Sequence, residues 1–142
     1  MIKLILTINL IALSLAFAGE DSKLVTAVNQ GTDAEVKALA KNKSELSWKD
    51  ASGFDALFYA VSINDVEKIQ ILLNAGATTK NLYSDKKESL LFEATRLGSE
   101  PVLKILIKKD PSLLKIKNSD NESPLFTAVR EDQSPIVRFF AK

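Results

Sequence analysis

From Ser22 onward, apolar residues recur with a helical period, and the pattern itself repeats along the chain. Ala27, Ala60, Ala94 and Ala128 are separated by 33, 34 and 34 residues. Three positions before each alanine stands a leucine: Leu24, Leu57, Leu91 or Leu125. Two positions before it stands Val25, Phe58, Phe92 or Phe126. Nine positions after it comes Val36, Ile69, Leu103 or Val137, and three further on Leu39, Leu72, Leu106 or Phe140. Self-similarity at this period marks a repeat architecture, in which no unit buries its apolar face without its neighbours.

Each unit predicts helix, turn, helix. Ser22, Asp55, Ser89 and Ser123 stand where the first helices begin, and their side-chain oxygens suit the orphan N–H groups of a helix start. Pro124 follows Ser123 at the first helical position, where its missing N–H costs nothing. Leucine and alanine three apart fall on one helical face, and the small alanine allows the second helix to approach closely. Gly31, Asn64, Gly98 and Asp132 occupy the turns between helices, all types that tolerate left-handed or turn geometry. Gly76 ends the second helix of the second unit. The reading is an all-α repeat solenoid of about four units, over 19–49, 50–83, 84–117 and 118–142, the last breaking off inside its second helix.

Ser123-Pro124-Leu125-Phe126-Thr127-Ala128, and more loosely Asp55-Ala56-Leu57-Phe58-Tyr59-Ala60, resemble the T-P-L-H-x-A signature of the ankyrin repeats. Asp50-Ala51-Ser52-Gly53 is similar to that family's turn lead-in, and Gly76-Ala77 to its second-helix ending. The resemblance implies helix pairs joined by β-turn or hairpin fingers. It also implies a concave binding face made of the fingers and the exposed sides of the first helices. The chain departs from the family at the histidine, replaced by phenylalanine in three units, and at Asp110-Pro111, which stands in place of Gly-Ala.

Ahead of the repeats, Lys3 followed by the mostly apolar run Leu4 to Phe17, then Ala16-Phe17-Ala18 and a polar stretch, reads as a signal peptide over 1–18. A retained membrane anchor fits less well, because the run is short and small residues rather than charges flank its end. The mature domain, 19–142, is then exported: periplasmic as the first choice, secreted as the second. In a secreted eukaryotic protein Asn42-Lys43-Ser44 and Asn121-Glu122-Ser123 are glycosylation acceptors.

Composition narrows the chemistry. The chain has no histidine and no cysteine, which removes Ser-His-Asp and Cys-His nucleophilic sites, the usual zinc sites and any disulfide framework. Lys plus Arg number 19 and Asp plus Glu 18, so no basic stripe for nucleic acid is expected. Ser112-Leu113-Leu114-Lys115, Ser84-Asp85-Lys86-Lys87 and Ser119-Asp120-Asn121 match the S-x-x-K and S-D-N elements of penicillin-recognising enzymes. No K-T-G follows, and all three fall in turns between units, so they carry no catalysis. No cofactor, metal or enzymatic activity is expected.

Alignment of the units separates core from surface. Trp48 aligns with Leu82 and Ile116 and reads as core, as do Phe58, Phe92 and Phe126. Phe54 aligns with Glu88 and Glu122 at an expected exposed turn tip, Tyr59 with Thr26, Glu93 and Thr127, and Tyr83 with Lys49 and Lys117. Aromatic groups in otherwise polar columns are candidate binding anchors. On the ankyrin resemblance these three lie on the concave face, joined by Ile63, Arg96, Leu97 and Arg130. Phe139 and Phe140 are either core or part of an end that meets a partner.

An exported stack without catalytic residues reads as a protein-binding module. It resembles the small exported ankyrin proteins of bacteria, one of which, in a predatory bacterium, shields its producer by capping the active sites of its own peptidoglycan endopeptidases. The resemblance implies an immunity protein that occludes a periplasmic endopeptidase or carboxypeptidase and is monomeric when free. The alternative is a scaffold for another envelope enzyme, such as a stress-response catalase.

Overall fold

The computed structural model describes residues 21–142, and the signal peptide expected over 1–18 lies outside them. The described chain is all-α: α1 (Lys23–Gln30), α2 (Asp33–Leu39), α3 (Lys43–Ser47), α4 (Ala56–Ser62), α5 (Val66–Asn74), α6 (Leu90–Arg96), α7 (Glu100–Lys109), α8 (Pro124–Arg130) and α9 (Ser134–Phe140), with a 3₁₀ segment at Pro111–Lys115. No helix among the described residues is long and apolar enough to cross a membrane. The second helix of the fourth unit spans Ser134–Phe140, with Ala141 as its C-cap.

The helices pair as α1–α2, α4–α5, α6–α7 and α8–α9. Across pairs, α1 packs on α4, α4 on α6 and α6 on α8, while α2 packs on α5 and α5 on α7. The core lies between these two layers. Leu24, Leu57, Leu91 and all four column alanines are buried in it, together with Val36, Ile69 and Leu103. Burying each such Val, Leu or Ile side chain contributes about 1.5–3 kcal/mol.

The expected N-caps stand at Ser22, Asp55, Ser89 and Ser123, and three of them accept the N–H of the residue three further on. Ser89 is the exception: its hydroxyl makes no cap bond and is buried without a partner. Among the inter-helix turn residues, Asn64, Gly98 and Asp132 are left-handed, with φ of 58°, 66° and 53°. Gly31 is not; its φ is −98°. Glycine there serves close approach instead, since an added Cβ would meet the Ala27 backbone at 2.9 Å.

The segments that join the pairs also recur. Asp50, Ser84 and Asn118 each turn a side-chain oxygen onto the N–H two residues on, at 2.8, 3.2 and 3.0 Å. Gly53, Lys87 and Asn121 follow in left-handed geometry. The first and third turns close with Asp50 N–H on Phe54 C=O and Asn118 N–H on Glu122 C=O; the middle one is a residue wider, pairing Tyr83 with Glu88 in both directions.

Two short segments were not expected. Asn42 caps α3, whose Glu45 reaches back to the start of α1. Asp110 caps the 3₁₀ segment, accepts from Thr79 at 2.8 Å and seats the buried Leu113.

Core expectations need four corrections. Phe92 is fully buried, but Phe126 is 52% exposed and Leu125 41%, because α8 has no first-layer helix on its far side among the described residues. Phe58 is half-buried, since its ring turns toward Phe54. Trp48, as the C-cap of α3, is half-buried outside the core cluster.

Candidate protein-binding surface

Phe54 lies immediately before the N-cap of α4, and the first turns of that helix carry Phe58 and Tyr59. The rings of Phe54 and Phe58 stack with centroids 4.1 Å apart and planes at 16°. Tyr59 meets both edge-on at 6.3 Å, and Tyr83 lies 4.8 Å from Phe58 and 6.2 Å from Phe54. Offset-stacked and edge-on arrangements suit the ring quadrupole. Phe54, Phe58 and Tyr59 are half-buried, each packed on the core and open to solvent on its other side.

Tyr83 departs from expectation. It is 3% exposed, and its hydroxyl donates to the Asp55 carboxylate at 2.9 and 3.1 Å. A tyrosine can fill a column held elsewhere by lysine because Asp55 supplies a buried acceptor for its polar tip. Burial first, and then the Asp55 charge and the hydrogen bond, push its phenol above the ordinary tyrosine range. Asp55 also caps α4 and accepts from Asn81 at 2.6 Å.

Tyr59 donates to Asp50 Oδ2 at 2.5 Å. That hydrogen bond, with burial and the carboxylate charge, pushes the Tyr59 phenol up to about 12. Asp50 is in turn held below the ordinary carboxylate range: burial opposes this, but the bonds from Tyr59 and from the N–H groups of Phe54 and Ser52 outweigh it. Tyr59 is thus clamped between helix and turn.

Phe54 occupies a position that its sister units treat differently. Glu88 is not at an exposed tip, being 5% exposed, and it pairs with Arg96, eight residues on. Glu122 pairs likewise with Arg130 at 3.0 Å. At the corresponding places the second unit has Phe54 and Ser62, with no charge to pair. Both arginines expected as contacts are therefore engaged within the molecule, Arg96 with Glu88 and Glu93 and Arg130 with Glu122 and Glu131. Ile63 and Leu97, the C-caps of α4 and α6, are exposed as expected, at 44% and 41%.

Phe54, Phe58 and Tyr83 also form one side of a cavity of about 180 Å³, with Ser84, Glu88, Ser89, Glu93 and Arg96 around the rest. The structure thus brings together Phe54, Tyr59, Tyr83 and Arg96. Phe58 is the member that column comparison missed: all its counterparts are apolar, so only its nearness in sequence to Phe54 could have flagged it. Among the described residues no group of three or more acidic side chains is placed to hold a metal ion. No family model matches the chain, and no curated protein sequence matches it.

Proposed function

We propose that this chain is an ankyrin-type repeat module that binds another protein through the surface around Phe54, Phe58 and Tyr59. We infer further that its partner is a peptidoglycan endopeptidase or carboxypeptidase in the producing cell's periplasm, held inactive by occlusion of its active site. The observation that carries the binding reading is a half-open aromatic cluster where both following units close the same place with an ion pair. Rigid aromatic groups partly freed from solvent are the residue type that dominates interface energetics.

The repeat reading draws support from geometry that returns at a spacing of 34: the left-handed residues Asn64, Gly98 and Asp132, and the side-chain-braced turns at Asp50, Ser84 and Asn118. It also draws on first helices that neighbour one another in chain order. The export signal expected over 1–18 and the resemblance read from the sequence to small exported bacterial ankyrin proteins direct the choice of partner.

The test is co-purification of tagged chain from the producing cell's periplasm, with peptidoglycan hydrolysis assayed before and after its addition. The expected result is one captured hydrolase whose activity falls in proportion to added chain. Capture of no hydrolase, or of one that stays fully active in the complex, contradicts the reading.

A further inference from the structure

We infer that the cavity between the fingers of the second and third units is a receptor for one cationic side chain, a lysine or arginine presented by the partner. The inference rests on the protein-binding reading and specifies the chemistry of the contact.

The walls supply the first argument. Phe54 and Phe58 are half-open rings in its lining, and the buried Tyr83 packs against both. An aromatic face attracts a cation through its quadrupole, more strongly as water is excluded. The Tyr83 hydroxyl donates to a carboxylate, Asp55, and a phenol so bonded pushes electron density toward its ring.

The charges supply the second. Two carboxylates, Glu88 and Glu93, and one guanidinium, Arg96, line the cavity, which leaves one negative charge in excess. Glu88 is already engaged on both oxygens, by Arg96 and by Asn118. Glu93 is not: its Oε2 accepts from Arg96 at 3.3 Å, and its Oε1 has no partner among the described residues. An ammonium or guanidinium entering past the rings gains that free acceptor.

The other classes of guest fare worse. An anion would have to share Arg96 with two carboxylates that already hold it, against like-charge repulsion. A neutral apolar side chain would strip water from the free Glu93 oxygen and return nothing to it, a net cost for a charged acceptor. A volume of about 180 Å³ suits one side chain rather than a larger ligand.

The experiment is an NMR titration of the mature chain, following the ring signals of Phe54, Phe58 and Tyr83. The probes are the acetyl-methylamide derivatives of lysine, norleucine and glutamate. The expected result is a saturable shift with the lysine probe, binding about fivefold tighter than the norleucine probe, and none with glutamate. Glu93→Gln, on a half-exposed helical surface, should weaken lysine binding by about fivefold without weakening norleucine. Phe54→Leu keeps the apolar bulk without the ring face and should do the same. Equal shifts with lysine and norleucine, stronger shifts with glutamate, or lysine binding unmoved by both substitutions would overturn the inference. The same samples are tested for hydrolase capture. A charge-indifferent cavity on a chain that still captures its hydrolase defeats only this inference, whereas lysine binding without capture defeats only the reading of the partner.

Discussion

Glu45, on α3, accepts a hydrogen bond from Ser22 Oγ at 2.5 Å while its same oxygen takes the Leu24 N–H at 3.0 Å. The short helix α3 therefore serves as a latch, bringing a carboxylate back onto the first turn of α1, where orphan N–H groups favour negative charge. The Ser22 bond, with help from the Leu24 N–H and from Lys23, holds the Glu45 carboxyl below its ordinary range although burial opposes it. A carboxylate whose folded pKa is depressed stabilises the fold above its unfolded value, near ~4.3, and loses that contribution as pH falls through the lower folded value. Urea unfolding at pH 7 should find Glu45→Gln less stable by about 1 kcal/mol. The gap should close as pH is lowered below ~4. A gap independent of pH would show that the carboxylate charge is not the cause.

The two tyrosines should resist ionisation. Both phenols are raised, Tyr59 to about 12, and they are the only tyrosines in the chain. Ultraviolet titration of the folded protein should show almost no tyrosinate at pH 10, whereas the urea-unfolded chain should be about half ionised there. A raised folded pKa means that the associated stability is complete below the unfolded value and is lost as pH rises through the folded one. Alkaline unfolding should therefore set in above pH ~10. Asp50→Asn should release one tyrosine to titrate earlier.

Equivalent caps should behave oppositely. Asp55 caps α4 and holds both Asn81 and the buried Tyr83 hydroxyl, so Asp55→Ala should cost about 2–4 kcal/mol by loss of a cap and an orphaned buried donor. Ser89, one unit on, is buried with an unpartnered hydroxyl and no cap bond. Ser89→Ala should lie within about 0.5 kcal/mol of neutral, or stabilise. Chemical denaturation of the two variants checks both values.

Leucines of one sequence column should likewise differ. Leu57 is 1% exposed and Leu125 41%. Leu57→Ala should cost about 2–5 kcal/mol and Leu125→Ala under about 1 kcal/mol, read from denaturant midpoints. Equal costs would mean that α8 is covered in solution.

These pairs show how far the sequence could be read. The column of alanines, three of the four caps and three of the four turns between paired helices were legible because they follow from backbone sterics and helix ends, which each unit must satisfy for itself. Exposure was less legible, because it depends on what stands beside a unit. Leu125 looks like Leu57 until the neighbour of α8 is considered. Tyr83 looked exposed because its column holds lysines, and only Asp55, 28 residues away in the chain, gives its hydroxyl a buried acceptor. Glu88 misled in the same way, since its charge is paired by Arg96. The α3 latch had a signal that could have been used: Asn42 followed three positions later by Glu45 is a helix-start pattern. The aromatic cluster was legible because Phe54 and Tyr59 stand out from their columns; Phe58 escaped because all its counterparts are apolar.

The central claim, that the chain grips a partner through the Phe54 surface, is tested most directly by the affinity of the captured hydrolase for matched variants. Calorimetric titration should find Phe54→Ala and Tyr59→Ala each weakening binding by about tenfold or more. Phe126→Ala, which removes a more exposed ring at the far end of the first-helix layer, should bind as the parent chain does. Unchanged affinity for Phe54→Ala and Tyr59→Ala, with loss confined to Phe126→Ala, would contradict the account and move the grip to the last unit.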